Sequence, residues 1–170
     1  MKVIVADAST VILLQKITLL DNLVKEFEFI IPEEVYKEAV ITGKIKKSID
    51  SYQIEDKTNK NLIKIKKVKD KKEVKQLIDE FGLAEGETEA IVLFLQEKAD
   101  ILAIDDHKSI NVCRVYKIPF MTALTFVLDS YNLKIIGESK AREMIENLAI
   151  YGRYKTELIY KALGYLEEKK

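Results

Sequence analysis

The 170-residue chain has no tryptophan, one cysteine (Cys113), one histidine (His107), two prolines and six glycines, and its 28 basic and 28 acidic residues cancel to zero formal net charge. Each scarcity excludes something. One cysteine cannot make a disulfide scaffold, and one Cys with one His supports neither a Cys/His zinc cluster nor a thiol triad; Cys113 reads as a small buried hydrophobe. With no global basic field, any nucleic-acid site has to be a local patch. No apolar run approaches the roughly 20 residues needed to span a bilayer, so no membrane association is expected. MKVIVAD is strand-like, with no apolar signal segment and small-residue cleavage site, and a soluble, cytoplasmic protein is expected. No Pro/Gly-rich linker or repeat divides the chain. Its length suits about one domain, able to bury on the order of 70% of its unfolded surface, and a content of 48% hydrophobic and 33% charged residues is globular.

Against this background the stretch Gly82–Asp106, GLAEGETEAIVLFLQEKADILAIDD, sets carboxylates around segments that read as protein interior. Ile91 to Leu95 is apolar on every side of a helix, a pattern that is normally buried. Ile101 to Ile104 is a short apolar run that suits a buried strand and ends in Asp105 and Asp106. Glu87 shares a helical face with Ala90, Ile91 and Phe94, and Glu89 with Val92 and Leu93, so both lean toward the core. Burying an ionised carboxylate is costly unless it is paired, hydrogen-bonded or metal-bound. Glu85 and Glu87 also suit the helix N-terminus through the macrodipole. Glu89 with Asp105/Asp106 points to function, because the carboxyl ends of strands are where open α/β sheets bind ligands.

The rest of the chain supplies partners for these acids. Lys2–Ala6 reads as a buried strand followed by Asp7, which could cap the next helix or present its carboxylate to a shared site; Ser9 and Thr10 could cap instead. Glu28–Ile31 is a second strand, Pro32 opens a helix with Glu33 and Glu34 behind it, and Glu38 lies at the border of that helix's apolar face. From Ile41 to Lys75 the chain is lysine-rich. A helix through Ile45, Ile49 and Tyr52 precedes an alternating strand at Leu62–Lys66, whose lysines serve either to block edge pairing or to contact phosphate. Glu73–Phe81 is an amphipathic helix stopped by Gly82. A helix at Ser109–Tyr116, a fifth strand at Pro119–Thr122 and helices at Thr125–Tyr131, Ser139–Ile150 (capped by Ser139) and Tyr154–Glu168 complete the chain. Strand–helix alternation predicts an α/β fold with a mostly parallel sheet wrapped on both faces.

In such a sheet Asp7, Glu38, Glu89 and Asp105/Asp106 can converge on one rim. Carboxylates alone repel one another, and oxygen-only ligation suits Mg²⁺ or Mn²⁺. Paired ions of that kind activate water and stabilise the leaving oxygen of a phosphodiester. His107, following two acids at a strand-to-helix turn, reads as an exposed turn residue.

VIVADAS, IIPEEVYKEA, GLAEGETEAIVLF and ILAIDDHKSINVCR, in this order and spacing, resemble the motifs of the PIN-domain ribonucleases, and within them the VapC-like toxins; MTALTFVLDSYNLKIIGESKAREMIENL resembles the continuation in one VapC-like subgroup. The resemblance implies a PIN-like three-layer α/β/α sandwich with about five central strands and extra C-terminal helices. It covers about residues 1–150, leaving 151–170 as a C-terminal helix packed on the same domain or on a partner chain. It implies a Mg²⁺- or Mn²⁺-dependent endoribonuclease acting on single-stranded RNA, the toxin of a toxin–antitoxin pair, bound by a cognate antitoxin and forming a homodimer; a non-cutting PIN-like scaffold with a structural cation is the alternative. Asp7, Glu38, Glu89 and one of Asp105/Asp106 would be the catalytic metal ligands, with Glu87 assisting and Ser9, Lys44, Lys46, Lys47 and Thr122 toward substrate. Three departures from the family pattern are visible. Glu89-Ala90 stands where an aspartate-alanine pair is common, and Ile104 or Ala103 where a hydroxyl residue precedes the fourth acid. Ala123-Leu124 replaces a Gly-Thr, leaving Thr122 or Thr125 to supply a hydroxyl.

Overall fold

The computed structural model describes residues 1–169. β1 (Val3–Ala6) is flanked by β2 (Glu28–Pro32) and β4 (Ile101–Ala103), with β3 (Ile63–Lys66) and β5 (Phe120–Met121) at the edges, giving the order β3-β2-β1-β4-β5. Every pairing is parallel. Parallel strands need crossovers, and the helices that make them cover both faces. The fold is thus the expected three-layer α/β/α sandwich. Register sets Ala6 opposite Ala103, so β1 and β4 end level and the residues just beyond them share one rim.

Alternation along the strands divides the core. Ile4, Ala6, Phe29, Ile31 and Ala103 face one layer, while Val5, Ile30 and Leu102 face the other. The first layer holds α1 (Ala8–Lys16), α2 (Leu20–Glu26), α3 (Glu33–Tyr36), α5 (Ile49–Asn59), α9 (Ala123–Asn132), α10 (Glu138–Tyr151) and α11 (Thr156–Glu168). The second holds α6 (Lys71–Phe81), α7 (Glu85–Glu97) and α8 (His107–Val115). In α7 the run Ala90–Phe94 is buried as its apolar pattern requires, and only Leu95 emerges. Ile159, Ala162 and Leu166 of α11 join the core cluster of β1, and α11 packs on α10.

Several boundaries differ from the sequence expectation for local reasons. The positive φ at Thr18 and Lys47 breaks the chain between α1 and α2 and between α4 (Gly43–Ile45) and α5. Pro32 is the last residue of β2, opposite Lys66, and Glu33 is the first helical residue. Between α3 and α4 the chain makes a π-helical turn, Lys37–Thr42, that carries Glu38; such turns recur at functional sites. Gly137, not Ser139, precedes α10. Gly82 ends α6 with φ 64°, a conformation open to glycine at little cost.

Candidate active site

The chain leaves the central strand at Asp7 and turns at once into α1. Asp7 caps that helix: its Oδ1 accepts from the Thr10 N–H at 2.8 Å and its Oδ2 from Ser9 Oγ at 3.0 Å. The residue is only 1% exposed. Burial pushes its pKa up from 3.8 to about 7; bonds from Thr10 and Ser9 oppose the rise, and the neighbouring Asp105 adds to it.

Asp105 follows β4 on the same rim. The Ala123 N–H, at the start of α9, donates to both of its oxygens at 3.3 and 3.1 Å. The Tyr154 hydroxyl donates to Oδ1 and itself accepts from the Leu124 N–H at 3.2 Å. Burial raises the Asp105 pKa, against the pull of the Tyr154 and Ala123 bonds. Burial and the adjacent carboxylate also hold the Tyr154 phenol above its usual range. Thr10 is fully buried beside both acids and favours their ionised forms. Its Oγ1 nevertheless has no hydrogen bond of good geometry. Among the described residues, none of the groups acting on either carboxyl is basic.

Asp106 points elsewhere: it caps α8, accepting from the Ser109 N–H at 2.9 Å and the Ser109 hydroxyl at 3.1 Å. Of the two adjacent aspartates, Asp105 is the one whose charge bears on Asp7. His107 is exposed at the start of α8. The Cys113 thiol is buried, which pushes its pKa up to about 11, far from nucleophilic use at neutral pH.

The glutamates form a second group at the end of β2. Glu89 is 2% exposed; its carboxylate pairs with Lys71 and accepts from the Glu34 N–H at 3.4 Å. Glu38 is an exposed residue whose carboxylate lies against α7, where a Cβ on Gly86 would sit 2.7 Å from its Oε1. Partial burial raises the Glu38 pKa, and Glu34, Glu87 and Glu85 raise it further. Glu87 also accepts from the Ala84 N–H at 3.1 Å, closing the first turn of α7. Lys37 pairs with Glu34 at 2.9 Å.

Half of the lysines in the lysine-rich segment are committed to acids, Lys71 among them. Lys44 pairs with Glu55, Lys57 with Asp21, Lys60 with Asp56, Lys64 with Glu28 and Lys66 with Glu97. Lys46 and Lys47 are exposed in the turn before α5. Thr122 caps α9, its hydroxyl 3.2 Å from that of Thr125. The hydroxyl that reaches Asp105 is that of Tyr154, from the α10–α11 connection. No local sequence pattern marks this residue, because its partner is 49 positions away.

The buried Asp7 carboxylate, the partly buried Asp105 carboxylate and the buried Thr10 hydroxyl make an oxygen-only donor set that fits a hard divalent cation. Among the described residues no three His, Cys, Asp or Glu side chains stand close enough to hold one ion. A family model described as a PIN domain matches residues 3–168 of the chain. Comparison with curated proteins and with solved structures gives no match.

Proposed function

The chain belongs to the PIN-domain family, whose members are generally nucleases using divalent cations, and we propose that it is a Mg²⁺- or Mn²⁺-dependent endoribonuclease acting on single-stranded RNA. The observation that carries this reading is the pairing of buried Asp7 with partly buried Asp105 beside the buried Thr10 hydroxyl, with no basic partner among the described residues. Two neighbouring carboxylates in low dielectric strongly favour a bound cation or a proton. A cation there supplies a Lewis acid that activates water and stabilises the leaving oxygen of a phosphodiester.

The protein's own groups prepare the site. Asp7 is fixed by the first turn of α1 and Asp105 by the N–H at the start of α9, so neither carboxylate has to reorganise to bind. Ser9, exposed next to Asp7, and Lys46 and Lys47 are the groups offered to substrate phosphate; Lys44, paired with Glu55, and Thr122, bonded to Thr125, are already engaged and rank second. Glu38, Glu87 and Glu89 form an outer acidic group on the same edge of the sheet. In this reading the protein is the VapC-like toxin of a toxin–antitoxin pair, acting in the cytoplasm as a homodimer and silenced by its antitoxin. No helix among the described residues is long and apolar enough to cross a membrane.

Cleavage of a labelled single-stranded RNA in Mn²⁺, lost on chelation, is the test. Asp7→Asn and Asp105→Asn are expected to abolish it while leaving the circular dichroism spectrum unchanged; undiminished cleavage by Asp7→Asn refutes the assignment. The pairing of Glu89 with Lys71 favours a second reading, a PIN-like protein that binds a cation without cutting. Mn²⁺ binding by calorimetry with no metal-dependent cleavage would select it.

A further inference from the structure

We infer that Tyr154 is a positioning residue of the acidic site, delivered by the C-terminal helical hairpin to hold Asp105 in its cation-binding orientation. The inference rests on the cation reading above and goes beyond it, since no motif contains Tyr154. Three observations lead to it.

The direction of the hydrogen bond is fixed. The Leu124 N–H donates to the Tyr154 oxygen at 3.2 Å, so the phenol's own hydrogen is left for Asp105 Oδ1. Leu124 and Ala123 are the first residues of α9, and Ala123 N–H holds the same carboxylate. One helix start therefore orients Asp105 directly and, through Tyr154, indirectly. With Oδ1 held by Tyr154, the carboxylate keeps acceptor capacity beside Asp7 and the Thr10 hydroxyl, which act on it.

The ring is seated deliberately. Tyr154 packs on the core cluster, and Gly152 makes room for it: a Cβ on Gly152 would lie 2.7 and 2.8 Å from the Tyr154 ring carbons and 2.9 Å from the Leu148 carbonyl oxygen. No side chain fits there without moving the ring. Gly152 has φ −92°, so it serves this close approach and not an unusual backbone.

The bond joins segments far apart in the chain. Asp105 lies two residues beyond β4, whereas Tyr154 lies between α10 and α11. A hydrogen bond that orients a metal ligand typically contributes 10–100-fold in metal affinity. Tyr154 thereby makes the C-terminal hairpin part of the site.

Mn²⁺ titration of the full-length protein by calorimetry tests this, with thermal unfolding recorded in chelator. Tyr154→Phe keeps the ring and is expected to weaken Mn²⁺ by about 10-fold or more with little change in the metal-free midpoint. Gly152→Ala, which displaces the ring, is expected to weaken it similarly. Tyr165→Phe, which removes an exposed hydroxyl bonded to Asn132, is the control and should match wild type. If wild type binds Mn²⁺, Asp7→Asn does not, and Tyr154→Phe binds as wild type does, the inference fails while the cation reading stands. If wild type binds no Mn²⁺, both fall.

Discussion

At the scale of single residues, Asp7 does two things that conflict in the absence of a cation. It caps α1, which stabilises the fold, and it buries a carboxylate whose pKa lies near 7. The unfolded carboxyl titrates near 3.8, so between about pH 4 and 7 the folded state binds more protons than the unfolded one. Stability contributed by this group therefore falls as pH rises through that window, and the penalty is fully present above pH 7. Asparagine caps a helix about as well as aspartate. In chelator at pH 8, Asp7→Asn should unfold at a higher temperature than wild type, and the gap should close toward pH 4. A variant less stable than wild type at pH 8 would show that the buried charge is better compensated than its surroundings indicate.

At the scale of elements, the start of α6 is tied to α7 through Lys71 and Glu89. Lys71 is mostly solvent-exposed and Glu89 is buried, so the pair is asymmetric. The lysine loses little by leaving, but the glutamate loses its salt-bridge partner. Lys71→Ala should cost about 1–3 kcal/mol, the penalty for a buried polar group left short of partners, measured by urea unfolding in chelator. Mn²⁺ should restore part of that loss if Glu89 joins the metal shell in the loaded protein; no recovery would confine Glu89 to a structural role. A surface pair such as Lys60–Asp56 gives a contrast, since its removal should cost well under 1 kcal/mol.

At the scale of the whole molecule, the sheet and the C-terminal hairpin meet on either side of one site. α11 is amphipathic, and Leu166 is fully buried in the cluster that includes Ile4 and Val11. Leu166→Ala should therefore destabilise by about 2–5 kcal/mol, visible as a lowered denaturant midpoint. A cost under 1 kcal/mol would mean that α11 is a detachable appendage and not part of the core.

The order and type of the main elements were legible in the sequence because they depend on local pattern. KVIVA and ILAI are apolar runs that only a buried strand satisfies, the Val74–Phe81 stripe and Gly82 mark a helix and its end, and strand–helix alternation implies the parallel sheet. The family was legible too, in the order of the short acidic motifs. What each acid touches was not legible. Asp105 and Asp106 are adjacent and chemically identical, and only the turn from β4 into α8 decides that Asp106 caps a helix while Asp105 faces Asp7. Glu89 reads as an unpaired buried carboxylate until α6 brings Lys71 against it. Tyr154 looks like an ordinary loop residue until the α10–α11 hairpin folds back over the start of α9. By itself the sequence determined the elements and the family, because periodicity acts over a few residues. Only the tertiary structure decided the partners, because hydrogen bonds between positions such as Asp105 and Tyr154 depend on where distant elements end in space.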